Sequence, residues 1–149
     1  MISKLKTLSV VLPCHNEELV IHNSWEELTS FLEPLLNNMI LDYELIVVNN
    51  GSTDGTLKKV LELQKRDKKI KIVDLRNNYG YQGSITAGLY NASNDMVVTI
   101  DADLQDDPSK IKEMIQKHYE GFDLVLGVRV DRMTDSFFKR NTASIFYKL

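Results

Sequence analysis

Three observations predict an α/β fold, a three-layer α/β/α arrangement with a mostly parallel central sheet. Short and nearly all-apolar runs recur along the chain, each followed by turn formers and then by apolar residues at helical spacing. The repeat is about 20 to 30 residues, the length of a strand, a right-handed crossover helix and its loops. Polar clusters stand directly after the first, second and fourth runs, where open α/β sheets bind ligands beyond the carboxyl ends of their strands.

Thr7 to Leu12 reads as a central strand covered on both faces and stops at Pro13. Asn16 is placed to cap the helix that follows, with Glu17 and Glu18 in its first turn. Ile21, Trp25, Leu28, Phe31, Leu32 and Leu35 mark the inner face of that helix, which runs to about Asn37 with a bend at Pro34. Tyr43 to Val48 is the second strand, ended by the turn formers Asn49 to Gly55. Leu57, Val60, Leu61 and Gln64 then give a second helix, closed by basic residues around Lys65 to Lys69 that suit a helix carboxyl end. Ile70 to Leu75 is the third strand, and the loop carrying Gly80 and Gly83 leads into a helix with Ile85, Leu89 and Ala92 inward. Tyr79 and Tyr81 in that loop are placed to touch acceptor or donor, with packing the favoured reading. Met96 to Ile100 is the fourth strand. Ile111, Met114, Ile115 and His118 mark a further helix to Gly121, and Leu124 to Val128 reads as a fifth strand.

The final segment places Phe138, Thr142, Ile145 and Leu149 on one helical face. Its pattern reaches Leu149 without a capping signal, so the expectation is a helix that continues in a longer protein. From Arg129 to Leu149 there are five Lys/Arg against two Asp, a local charge of +3 that leaves −6 for residues 1 to 128. The tail therefore faces something different from the rest. The net charge of −3 gives no basic field to argue for nucleic acid. Cys14, the single cysteine, excludes an internal disulfide and fits a reducing compartment. No run approaches the roughly 20 apolar residues of a membrane span.

The acids at the end of the fourth strand carry the chemistry. Asp101 and Asp103 are two apart, and on an extended backbone that spacing sets both carboxylates on one side, where they repel unless a cation lies between them. Hard oxygen ligands suit Mg²⁺ or Mn²⁺. Asp106 and Asp107 read instead as first-turn acids of a helix opened by Pro108. Two common nucleotide folds are excluded. The first strand ends in Leu-Pro-Cys-His-Asn-Glu and not in a glycine-rich dinucleotide turn, and no Gly-Lys-Ser/Thr loop occurs.

Three motifs in order, Val-Val-Leu-Pro-Cys-His-Asn-Glu-Glu (10 to 18), Glu-Leu-Ile-Val-Val-Asn-Asn-Gly-Ser-Thr-Asp-Gly-Thr (44 to 56) and Asp-Ala-Asp-Leu-Gln-Asp-Asp-Pro (101 to 108), resemble the nucleotide-sugar-binding half of family two glycosyltransferases. With Gly-Val-Arg (127 to 129) and Ser-Phe-Phe-Lys-Arg (136 to 140), the chain is most similar to the branch that loads sugars onto polyprenyl phosphates. The resemblance implies a nucleotide-diphospho-sugar transferase (GT-A) fold. It implies a catalytic domain over 1–130 and, over 131–149, the start of an acceptor or membrane-interface helix. Pro13, His15, Glu17, Val48, Asn50, Asp101, Ala102 and Asp103 are implied to bind a UDP- or GDP-sugar. Asp101, Asp103 and Gln105 are implied metal contacts for Mg²⁺ or Mn²⁺. One departure stands out: the family usually has Asp where this chain has Asn50, and often also at Asn49, and an amide accepts a hydrogen bond without bringing charge.

The implied reaction is metal-dependent, inverting transfer of a hexose to a polyprenyl phosphate at the cytoplasmic face of a membrane. Asp101, Asp103 and Arg129 are its catalytic residues, and Arg129, Arg140 and Ser144 its acceptor contacts, since guanidinium matches phosphate oxygens in geometry and charge. A phosphate nucleophile is already anionic and needs no base; a sugar hydroxyl, the alternative acceptor, would need one. A fragment that binds donor without turnover is the other alternative, and the oligomeric state is left open. The basic helix reads equally as a membrane-surface element or as a packed helix with a solvated basic face.

Overall fold

A computed structural model of the chain describes residues 4–128. Arg129, Arg140, Ser144 and the helix expected after Ser136 lie outside the described residues. Four parallel strands, β1 (Lys6–Cys14), β2 (Ile40–Asn50), β3 (Ile70–Leu75) and β4 (Met96–Thr99), make one sheet in the order β3-β2-β1-β4. The helices are α1 (Ile21–Leu32), α2 (Thr56–Arg66), α3 (Gly80–Asn91) and α4 (Lys110–Tyr119), and Pro34 sits in a 3-10 turn over Glu33–Leu35.

The sheet grows outward from β1 to β3 and then returns to the other side of β1 for β4. With right-handed crossovers, that reversal puts the third helix on the opposite face from the first two. The packing agrees. Val10 and Leu12 share a core with Ile21 and Leu28 of α1, Val60 and Leu63 of α2, and Ile111 and Ile115 of α4. Val11, Ile46 and Val48 face the other way, against Ala87 of α3. The reversal also opens a crevice between the carboxyl ends of β1 and β4, the usual ligand position in such sheets.

Toward the amino ends of the strands, a polar cluster around the buried Ser9 and Glu44 ties the sheet together. Glu44 accepts from Ser9 Oγ at 2.5 Å and from the Ser93 N–H at 3.1 Å, and it pairs with Lys71. Burial pushes this carboxyl up, but the hydrogen bonds from Lys71, Ser9 and Ser93 outweigh it and hold Glu44 below its ordinary value.

Several local expectations are corrected. Leu124 to Val128 forms no strand: it joins no ladder, and Leu124, Leu126 and Val128 are 74%, 74% and 81% exposed. An apolar run becomes a strand only where an edge accepts its hydrogen bonds, and none of the described strands does so here. In α3 the buried residues are Ser84 and Gly88 and Leu89 is exposed, while Ala87 and, at the helix end, Ala92 pack against the sheet, the latter as expected. In α2 the buried residues are Thr56, Val60 and Leu63, with Leu61 outside. Asn16 caps nothing. It takes a left-handed φ of 58°, and its Oδ1 accepts the Thr53 N–H at 2.8 Å, while α1 starts at Ile21 with no acid in its first turn. Glu18 reaches across instead to accept the Gly55 N–H at the start of α2, at 2.8 Å. The loops after β1 and β2 are thus clasped to each other.

Candidate active site

At the reversal point lies a cavity of about 320 Å³. Pro13, Cys14, His15 and Glu17 line it from the end of β1, Asn50 from the end of β2, and Asp101, Ala102 and Asp103 from the chain beyond β4. Asn78, Gly80, Tyr81 and Ser84 close it from the loop and first turn of α3. Seven of the residues singled out from the sequence therefore share one wall: Pro13, His15, Glu17, Asn50, Asp101, Ala102 and Asp103. Two do not. Val48 is fully buried beneath α3, and Gln105 is exposed outside the cavity, its backbone N–H donating to Asp103 Oδ1 at 3.2 Å.

The aspartates reach the cavity by a different backbone from the one expected. The chain leaves β4 after Thr99 and turns, with the Leu104 N–H donating to the Asp101 carbonyl at 3.0 Å and Leu104 at φ 49°. Ala102, at 2% exposure, is tucked into the core while Asp101 and Asp103 open onto the cavity. A turn, and not an extended run, brings the two carboxylates together. Glu17 joins them. Burial first, then the charges of Asp103 and Asp54, hold its carboxyl above the ordinary value of 4.5.

The asparagines that replace the expected aspartates have visible work as donors. Asn49 Nδ2 donates to Asp74 Oδ1 at 2.7 Å, joining the ends of β2 and β3. A carboxylate at position 49, itself only 2% exposed, would face the exposed carboxylate of Asp74. Asn50 Nδ2 donates to Asn78 Oδ1 and to the Gly80 carbonyl, both at 3.1 Å, while its Oδ1 accepts the Tyr79 N–H at 2.9 Å. An aspartate could keep only the last of these. The amides therefore organise the loop that roofs the cavity. His15 Nδ1–H donates to the Asn50 carbonyl at 3.0 Å, which leaves Nε2 as the acceptor on that ring.

Tyr81, expected to pack, is 54% exposed and donates its hydroxyl to Asp101 Oδ1 at 2.9 Å. Partial burial and the neighbouring Asp101 push the phenol up to about 12, so it remains a donor at neutral pH. The sequence reading gives Tyr81 to packing and assigns Asn78, Gly80 and Ser84 no part in the site, because β3 does not border the crevice and nothing local says that the loop after it folds over the cavity. The run of Asn77, Asn78 and Gly80 was the available signal. Cys14, at 2% exposure, packs as expected, and burial raises its thiol well above the ordinary range.

The donor set fits a divalent cation of the Mg²⁺ or Mn²⁺ kind. Asp101 and Asp103 offer hard oxygens on one open cavity, and such sites use one or two carboxylates with water and phosphate completing the shell. Among the described residues, no three His, Cys, Asp or Glu side chains converge into a ready cage.

The chain is similar to several known glycosyltransferases. The chain is 43% identical over 141 residues to YkcC, an uncharacterized glycosyltransferase of Bacillus subtilis, covering 95% of this chain and 42% of that protein. It is 37% identical over 144 residues to the bactoprenol glucosyl transferase of Shigella phage SfV, covering 95% and 45% respectively. It spans less than half the length of either relative. Among solved structures, the mannosyltransferase PcManGT of Pyrobaculum calidifontis, in complex with GDP-Man and Mn²⁺, superposes with a TM-score of 0.58 at 22% identity over 68% of this chain and 28% of that one. The parallel sheet with helices on both faces is a GT-A glycosyltransferase fold. Residues 9–148 match the model of glycosyl transferase family 2, and the chain belongs to that family.

Proposed function

We propose that this chain is the donor-binding part of a metal-dependent, inverting glycosyltransferase that moves a hexose from a nucleoside-diphosphate sugar to a polyprenyl phosphate at the cytoplasmic face of a membrane. The observation that carries the reading is the convergence of Asp101 and Asp103 on the cavity at the β1/β4 reversal. A divalent cation bound there supplies Lewis-acid stabilisation for a departing nucleoside diphosphate. The chain's own residues do the positioning. Tyr81 holds one oxygen of Asp101, the Leu104 turn fixes the spacing to Asp103, and Pro13, His15 and Glu17 line the same cavity for the nucleoside. The polyprenyl acceptor is supported by the bactoprenol glucosyl transferase relative and by the basic residues Arg129 and Arg140. An acceptor phosphate is anionic at neutral pH, which removes the need for a general base.

Calorimetric titration of UDP and GDP with and without Mn²⁺, on the parent chain and on Asp101→Asn, tests the donor half. Mn²⁺-dependent binding to the parent that Asp101→Asn loses is expected. Equal, metal-independent binding by both proteins would refute it. Transfer assays on the longer protein with polyprenyl phosphate against an oligosaccharide acceptor test the other half.

A further inference from the structure

The geometry points to Tyr81 as a positioning residue for Asp101: its hydroxyl occupies Oδ1 and so presents the remaining oxygen, beside Asp103, to the cation. The inference rests on Asp101 being a cation-holding carboxylate and adds a residue that neither the motifs nor the fold assigns.

Packing does not explain where this tyrosine stands. The ring is 54% exposed, whereas its neighbour Ser84 is 1% exposed and donates its hydroxyl to the Tyr81 carbonyl at 2.7 Å. The backbone carrying Tyr81 is fixed from two sides. Asn50 grips the preceding loop through the Tyr79 N–H and the Gly80 carbonyl, and Gly80 enters α3 at φ +75°, a conformation L side chains rarely adopt. A Cβ at Gly80 would meet nothing within 4 Å, so its backbone angle and not close packing calls for glycine. Held this way, a rigid aromatic side chain with its donor aimed at one carboxylate oxygen limits the rotation of Asp101. Residues that orient metal ligands without touching the metal typically change metal affinity by about 10- to 100-fold when removed. For a half-exposed tyrosine the lower end applies.

The test is a double-mutant cycle on the whole chain with Tyr81→Phe, Asp101→Asn and the pair, titrated with UDP (or GDP, where that binds the parent more tightly) with and without Mn²⁺. Tyr81→Phe should weaken Mn²⁺-dependent binding roughly tenfold, while metal-free nucleotide affinity and the urea midpoint stay at parental values. The pair should bind no worse than Asp101→Asn alone, because Tyr81 acts through that carboxylate. Parental Mn²⁺-dependent binding by Tyr81→Phe, with Asp101→Asn impaired, would overturn the role of Tyr81 and leave the cation site standing. A further loss in the pair, or an equal loss with and without Mn²⁺, would show Tyr81 touching the ligand or merely supporting the fold, and would also overturn it. If Asp101→Asn matches the parent, or the parent binds no Mn²⁺–nucleotide, the cation site falls and this inference with it.

Discussion

Consider replacing Gly88 with alanine. The residue lies in the middle of α3, on the face that meets β1 and β2. A Cβ placed there would lie 2.2 Å from Val11 Cγ1 and 3.2 Å from Val48 Cγ2, and both valines are fully buried. A β-branched side chain in a central strand has few rotamers, so Val11 cannot swing clear and the helix has to retreat. Two effects compete. Alanine in a helix interior gains about 1 kcal/mol over glycine, whereas overpacking a well-filled core costs about 1 to 3 kcal/mol. A 2.2 Å approach to a short, buried side chain belongs at the upper end of that cost, so the net expectation is a loss of about 1 to 2 kcal/mol. Urea unfolding followed by circular dichroism measures it. Val11→Ala supplies the control: alone it removes two buried methyl groups and destabilises by about 2 kcal/mol or more. Combined with Gly88→Ala, it should be less damaging than the sum by at least about 1 kcal/mol, since the new methyl enters the vacated space. A Gly88→Ala protein as stable as the parent, or strictly additive changes, would refute the close-contact account of α3. The first turn of this helix carries Tyr81 and Ser84, so Gly88→Ala should also weaken Mn²⁺-dependent nucleotide binding.

Two further substitutions probe the electrostatics of the strand ends. The Glu17 carboxyl is held above its ordinary value of 4.5 by burial and by Asp103 and Asp54; a raised acid binds more protons folded than unfolded, so its contribution to stability falls as pH rises through and above 4.5. Glu17→Gln should therefore raise the melting temperature of the metal-free chain at pH 7, with the gain disappearing near pH 4, and no gain at pH 7 would contradict the crowding of carboxylates. Asn49→Asp would set a carboxylate against Asp74 in place of the 2.7 Å amide hydrogen bond. A loss of about 1 to 3 kcal/mol at pH 7 is expected, narrowing at pH 4 where the introduced carboxyl is protonated and can donate again, and urea midpoints at the two pH values read it directly.

The order of residues along the chain specified the architecture and most of the site's inventory. All four strands were legible as apolar runs: β1 and positions 45–48 of β2 are apolar and buried almost throughout, as a strand covered on both faces requires, while the edge strand β3 matches Ile70 to Leu75 to the residue through Ile70, Ile72, Val73 and Leu75 even though Lys71 and Asp74 interrupt it. The acids after the fourth strand and the polar cluster after the first stood out for the opposite reason: charge placed where the core ends. Faces were harder. Small residues seat α3 on the sheet, so the spacing of large apolar residues points to Leu89 and not to Gly88. The run Leu124 to Val128 had the composition of a strand but pairs with neither edge of the described sheet, β3 or β4, and composition alone does not say which runs pair.

Which side chain holds which was settled only when the chain folded. The Tyr81 hydroxyl meets Asp101 twenty residues away, and the His15 ring meets the Asn50 carbonyl thirty-five residues away. Asn16 and Glu18, polar enough to start a helix, spend their side chains on Thr53 and Gly55 of another loop. Propensity and periodicity act over a few neighbouring residues, so they announce strands, helices and turns. A hydrogen-bond donor has no preference between partners until the sheet has closed, and the reversal at β1 is what set these loops within reach of one another.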